Sequence, residues 1–233
     1  ATYTPRSIWK RGVMHEGELR YRNSYSENLF AATFLPSDNE YDERKQVTRT
    51  TDSDFDKKDR WATHFSHKGK AGRLSSSILY ASVSDTDYLD DFGGFTNTNS
   101  SFTNAMDYSK EPALLRKGNV SYRTKSWIST LELQSFQEIG QIKRNQYEIL
   151  PRLTVAGSKS FGLAKTSALL QATLFDNPSD KKPEGSRIVA DTSAGVTFRS
   201  SWGHITPGLR HIHRSYSLDN ESAGTRDSAT INT

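Results

Sequence analysis

The sequence contains no cysteine, which excludes a disulfide framework and thiolate-based metal or redox sites within it while leaving its compartment open. It also lacks any apolar run of about 18 residues, so no transmembrane helix is expected. No charged-then-apolar leader stands before Ala1, and export would require a leader outside the given sequence. Hydrophobic residues are scarce, at 33%, and the mean hydropathy is -0.74, values that would leave a soluble protein with a thin core. Basic clustering is missing as well. The net charge is +4 and the pI about 9.2, yet Lys and Arg are interspersed with Asp and Glu throughout. There is no basic stripe, and no nucleic-acid partner is expected.

Aromatic residues are well represented, with 4 Trp, 10 Tyr and 11 Phe, which argues against disorder. They sit in short segments of mixed polarity separated by polar breaks. Leu29 to Phe34 is one such segment, stopped by Leu35-Pro36-Ser37-Asp38; it is too short for a self-burying helix, and Pro36 removes a backbone donor where a sheet would need one. Upstream, Ala1 to Gly12 reads as a weak strand with Pro5 inside it, a residue tolerated on edge strands and at bulges. Glu18 to Asn23 alternates, with Leu19 and Tyr21 on one face and Glu18, Arg20 and Arg22 on the other. Trp61 to Lys68 and Leu74 to Val83 read as a hairpin joined at Gly69 to Gly72. Residues 36 to 60 and Asp85 to Asn104 read as long polar connections without regular structure.

Strands are expected again near Val120 to Tyr122 and over Trp127 to Gln137, where Trp127, Leu131 and Leu133 oppose Thr130, Glu132 and Gln134. Tyr147, Ile149, Pro151, Leu153 and Val155 alternate with Glu148, Arg152 and Thr154. Ala168 to Phe175, Arg187 to Arg199 and a strand opened by Ile205, Pro207 and Leu209 complete the series. The pattern predicts roughly ten or eleven strands and no amphipathic helix. Two all-β architectures fit: a soluble sandwich and an antiparallel transmembrane β-barrel. The barrel explains the low hydropathy, because a tilted strand of about ten residues presents a lipid face and a wet face in alternation.

Candidate chemistry is sparse. Asp52, Asp54 and Asp56 open like a calcium loop, but Lys57 stands where that loop needs glycine and Thr63 where it needs glutamate. His64 with His67, and His211 with His213, are candidate metal pairs; neither has an obvious third ligand, and polar wall residues are the plainer reading. No serine lies in a nucleophile-elbow sequence, so no Ser/His/Asp set stands out and no catalytic residue is assigned. Trp9, Trp61, Trp127 and Trp202 fall near strand ends, as interfacial anchors do, although core packing would also place them there.

The run Ala1-Thr2-Tyr3-Thr4-Pro5, then Arg11-Gly12, Glu18-Leu19-Arg20-Tyr21 and Phe34-Leu35-Pro36-Ser37-Asp38 resembles the early barrel strands of the LptD family of outer-membrane lipopolysaccharide-assembly proteins. Asp87-Tyr88-Leu89-Asp90-Asp91-Phe92, Phe136-Gln137, Tyr147 with Leu150-Pro151-Arg152-Leu153, Arg187, and Trp202 with Pro207 and Tyr216 are similar too, in order over nearly the whole chain.

The resemblance implies a partial transmembrane barrel: residues 1–233 as a segment of the C-terminal barrel, with an N-terminal jelly-roll and the remaining strands outside it. It implies localisation to the Gram-negative outer membrane and insertion of lipopolysaccharide into the outer leaflet through a lateral opening. In such a barrel Pro5 would lie on a lateral-gate strand. The implied partners are lipopolysaccharide, an LptE-like lipoprotein plug, a periplasmic LptA-like bridge and outer-membrane lipid. No enzyme activity, cofactor or metal is implied. Lumen-facing cations such as Arg152 would meet lipopolysaccharide phosphates or pair with lumen carboxylates. Because open sheet edges do not persist in lipid, residues 1–233 alone would not form the channel. A barrel enzyme acting on lipids and a generic porin-like barrel are the alternatives.

Overall fold

A computed structural model describes residues 1–41, 59–92, 113–139, 146–177, 182–219 and 228–232. The fold is all-β and antiparallel. Its strands are β1 (Thr2–Ile8), β2 (Gly12–Arg22), β3 (Ser26–Leu35), β4 (Arg60–Ala71), β5 (Leu74–Val83), β6 (Ala113–Arg123), β7 (Trp127–Glu138), β8 (Glu148–Phe161), β9 (Ala164–Asp176), β10 (Glu184–Val196), β11 (Phe198–Ser200), β12 (Gly203–Ile205), β13 (Gly208–Asp219) and β14 (Ser228–Asn232). Twelve of them pair in chain order, β1 through β10 and then β13 and β14, while β11 and β12 form a separate hairpin. Among the described residues β1 and β14 each have one neighbour, so the sheet is not closed. None of the described helices is long and apolar enough to cross a membrane, which says nothing about crossing by strands.

Turn chemistry accounts for the hairpins. Asn23 Oδ1 accepts from Tyr25 N and Ser26 N at 2.8 and 2.7 Å, closing β2 onto β3. Gly72 and Gly162 open two-residue turns with φ of +58° and +60°, values glycine adopts without a Cβ penalty. At Gly157 a Cβ would lie 2.4 Å from Ser126 O and 2.6 Å from the Trp127 ring, so the indole of Trp127 can approach its cross-strand partner this closely only because that partner is glycine. The exit at Pro36 is observed as expected: β3 ends at Leu35, and Ser37 turns the chain away with φ 51°.

Two compact units are present. The first comprises Ala1–Gly69, Ile78–Arg116 and Phe136–Arg144, the second Lys70–Ser77, Lys117–Ser135 and Asn145–Thr233. In the first, cross-strand register puts Leu19, Phe30, Phe34, Trp61 and Phe65 on one side of the sheet and Glu16, Glu18, Ala31, Thr33, Ala62 and His64 on the other. A hydrophobic cluster of Met14, Leu35, Ala62, Val83, Leu114 and Ile139 gathers with the short helix α1 (Tyr88–Phe92), which buries Tyr88, Leu89 and Phe92. This helix departs from the structureless loop expected over Asp85 to Asn104. At five residues it is too short to show a helical period, and it is started by Asp85, whose Oδ1 accepts from Asp87 N at 3.1 Å.

In the second unit the same division holds. Leu131, Leu153, Val155, Leu170, Ala172 and Ile188 share one side, and Leu170 and Ile188 are 51% and 56% exposed. Glu132, Arg152, Thr154, Gln171 and Arg187 share the other.

One expected alternation is corrected. Ile149 pairs with Phe175 but Arg152 with Thr173, so the register shifts by one residue at Leu150-Pro151. A bulge is where a residue without an N–H fits. It moves Ile149 to the polar side and Leu150 to the apolar side, whereas Tyr147, Ile149, Pro151, Leu153 and Val155 were expected to share one face.

The strand count is also higher than the expected ten or eleven. The terminal stretch forms β14 on β13, and the segment before β13 folds into the β11–β12 hairpin rather than opening one long strand at Ile205.

Candidate functional site

The densest chemistry in the first unit is a buried ionic knot built from four separate segments. Arg60, the first residue of β4, is fully buried. Its Nε and Nη2 donate to Asp85 Oδ2 and Oδ1 at 2.9 and 2.7 Å, a two-point fit that a planar guanidinium makes and an ammonium cannot. Its Nη1 donates to Asp38 Oδ2 at 3.1 Å and to Asp91 Oδ2 at 2.5 Å. Arg11, in the β1–β2 turn, reaches the same two carboxylate oxygens from the other side, at 2.8 and 3.3 Å, and its Nε lies 3.1 Å from Glu40.

Asp38 and Asp91 therefore each bridge both arginines. Rings cover the charges: the Arg60 guanidinium sits 4.1 Å from the Tyr41 centroid and 4.8 Å from that of Phe92, and Arg11 lies 5.1 Å from Phe92.

The Tyr88 hydroxyl shares a 2.5 Å hydrogen bond with Thr33 Oγ1. Burial pushes the Tyr88 phenol up to about 12, although the Thr33 bond pulls the other way. Burial, followed by the Asp85 charge, also raises Tyr41. A second cluster stands nearby in the same unit. Gln137 Oε1 accepts from Ser82 Oγ, Val83 N and Arg116 Nη2 at 2.8, 3.2 and 2.8 Å, and its Nε2 donates to Val83 O at 2.8 Å. One side-chain amide thus satisfies a backbone donor and acceptor at the end of β5.

These contacts tie the β1–β2 turn, the exit of β3, the entry of β4 and α1 into one mechanical joint.

The family model described as LPS transport system D matches residues 58–233. The chain belongs to the LptD family. LptD relatives align along nearly its whole length. The LPS-assembly protein LptD of Pseudomonas putida is 26% identical over 265 residues, covering 100% of this chain and 26% of that protein. The protein of the same name from Alkalilimnicola ehrlichii is 30% identical over 241 residues, covering 97% and 27%, and that from Psychrobacter arcticus is 27% identical over 237 residues, covering 94% and 24%. The chain spans about a quarter of the length of these LptD relatives.

Three of the segments that carry the LptD resemblance are joined by the knot. Asp38 of the Leu-Pro-Ser-Asp exit and Asp91 of the Asp-Tyr-Leu-Asp-Asp-Phe run each bridge Arg11 and Arg60, Phe92 lies beneath both guanidinium groups, and Gln137 belongs to the adjacent cluster. Sequence reasoning did not single out Arg60 or the pairing of these motifs, because ion pairs between distant segments leave no periodic trace. The acid-rich, aromatic Asp-Tyr-Leu-Asp-Asp-Phe run was the available signal.

Pro5 lies in β1 opposite His15, on the side of the sheet that carries Tyr3 and, further along, Phe34 and Trp61. Tyr3 OH is 2.7 Å from His15 Nδ1. Arg152 faces the polar side and donates to Glu132 Oε1 at 3.0 Å, the carboxylate pairing foreseen for it. Asp52, Asp54 and Asp56 lie outside the described residues.

The histidines are redistributed. His64 and His67 point to opposite sides, His67 to Asn28 Oδ1 at 2.7 Å, because three residues along a strand reverse the direction. His211 and His213 do share a side, but it is the apolar one, with Ala190. Trp9 and Trp202 occupy turns, and Trp61 and Trp127 stand at strand starts.

Proposed function

We propose that this chain is a stretch of the wall of an outer-membrane lipopolysaccharide translocon, one part of a larger barrel whose other strands and periplasmic domain complete the channel. The observation that carries this reading is the two-sided sheet. In the second unit large apolar residues such as Leu170 and Ile188 stand open on one side, while the other side is lined by Glu132, Arg152, Thr154, Gln171 and Arg187. In water that apolar side would be a liability; in a bilayer it is the lipid face, and the polar side borders an aqueous path. Family membership supplies the cargo, lipopolysaccharide, and the outer membrane as the location. The role is transport without catalysis.

In this reading β1 lies at the lateral opening and Pro5 weakens its pairing, since a residue with no N–H deletes a ladder bond where separation must cost little. The knot of Arg11, Arg60, Asp38 and Asp91 holds the turn at the end of β1 while the strand itself yields. An LptE-like lipoprotein would occupy the lumen, and an LptA-like bridge would deliver cargo from the periplasm.

Depletion of the full-length protein in cells tests the reading. Newly made lipopolysaccharide should fail to reach the surface while porins still assemble. Normal surface display after depletion would overturn the transport role.

A further inference from the structure

The polar side of the second unit carries a row of groups that the wall reading leaves unused. Glu132, Arg152, Thr173, Arg187 and Tyr216 are successive cross-strand partners on β7, β8, β9, β10 and β13, so their side chains stand side by side. Glu132 is shared by two cations, Lys117 at 2.8 Å and Arg152 at 3.0 Å. Arg187 has no carboxylate partner among the described residues; its Nη2 donates to the uncharged Gln171 Oε1 at 2.9 Å.

Three donors in the middle of this row are withdrawn from solvent and have no hydrogen-bond partner: Arg152 Nε, Thr173 Oγ1 and Arg187 Nε. Thr173 is only 4% exposed and sits between the two arginines. Buried donors are ordinarily paired, and leaving three together is costly unless something accepts from them.

Among the described residues of these strands the other carboxylates stand elsewhere. Glu148 and Asp176 are register partners across β8 and β9 on the apolar side, and Glu184 has the parity of Ile188, on that same side. Asp191, on the polar side, is held by Arg210 through both oxygens.

We infer that Arg152, Thr173 and Arg187 form an oxyanion site that takes a phosphate or carboxylate group of an anionic saccharide passing along the polar side. Two guanidinium N–H groups flanking a hydroxyl, with positive charge in excess, suit a tetrahedral or planar oxyanion and offer nothing to a cation. The inference rests on the translocon reading for the source of the ligand, but binding itself does not depend on transport.

Binding of glucose 1-phosphate and of glucuronate to the purified full-length protein, with its copurifying subunits in detergent, tests it. Ligand-observed NMR line broadening is the readout, and the two probes separate phosphate from carboxylate. The site predicts broadening of at least one probe by the unsubstituted protein, weakened about tenfold or more in Arg187→Gln, as loss of a charge-assisted bond implies. Thr173→Val should also weaken it, while Arg210→Gln should leave it unchanged. Arg187→Lys, which keeps the charge and loses the fork, should fall between; it also serves if Arg187→Gln does not fold, which retarded gel mobility before heating reports. Equal broadening with the unsubstituted protein and Arg187→Gln, or none with the unsubstituted protein, overturns the site. The depletion experiment can succeed or fail independently of this result.

Discussion

At the scale of single residues, Arg60 decides most. It is a fully desolvated cation whose donors reach Asp38, Asp85 and Asp91, so removing it strands carboxylates that have lost both water and partner. Arg60→Met is expected to destabilise the folded protein by about 3–5 kcal/mol, the range for breaking a buried pair from one side, measured by urea unfolding in detergent micelles. Arg11 shares Asp38 and Asp91 but keeps 10% of its side chain exposed against 1% for Arg60, and its further partner Glu40 is 41% exposed, so Arg11→Met should cost less.

Tyr88 gives a second residue-scale outcome. Its phenol is held near 12 by burial, against about 10 when unfolded. The folded state therefore binds the extra proton. The stability this group lends is whole below pH 10 and is lost as pH rises toward 12. An absorbance titration of phenolate should show a fraction missing in that window that appears on unfolding, and Tyr88→Phe should remove that fraction. A Tyr88 that titrates with the exposed tyrosines would contradict the buried position.

Elements carry the division between lipid and lumen, and a substitution's effect should depend on which side it meets. Leu170 stands in the middle of β9 on the apolar side, and its chain neighbour Gln171 faces the polar side. Leu170→Arg should cost about 2–4 kcal/mol, as a charge does on the lipid face near the midplane, whereas Gln171→Arg should cost far less; urea titration of folding into lipid vesicles compares the two. For β1, Pro5→Thr restores a backbone donor. If Pro5 eases strand separation, that variant should fold normally yet slow the appearance of new lipopolysaccharide at the cell surface. Unchanged export kinetics would remove Pro5 from the gate.

Much of this element-level structure was legible along the chain. The stop at Pro36 and the alternation of Leu131 and Leu133 with Glu132 are local signals, and each lies where the pattern put it; the turn expected at Gly69 to Gly72 starts only at Gly72, because β4 runs on to Ala71. The alternation through Tyr147 to Val155 failed at Pro151, because a bulge reverses the faces and nothing in a period-two pattern announces it. The knot was hidden for a different reason. Arg60, Asp38 and Asp91 are polar residues in connections or at strand ends, indistinguishable by type from solvated charges until folding brings them together. Arg187 stood out only through the resemblance and Thr173 not at all, and only the register shows them to be neighbours along the row from Arg152.

At the scale of the whole molecule, low hydropathy, abundant aromatics and a twelve-stranded meander among the described residues fit one reading: half of each strand is apolar because, in the proposed wall, that half would meet lipid. The unpaired donors of the second unit belong to the other half. On the proposed reading this sheet is a membrane wall with a lipid side and a wet side. Spin labels placed singly at Val155 and Leu170, and at Thr154 and Gln171, in the full-length protein reconstituted in vesicles test it most directly. Molecular oxygen should relax the first pair and a water-soluble nickel chelate the second. Equal access of the chelate to both pairs, or exclusion of both reagents from Val155 and Leu170 as in the packed interior of a soluble sandwich, would contradict it.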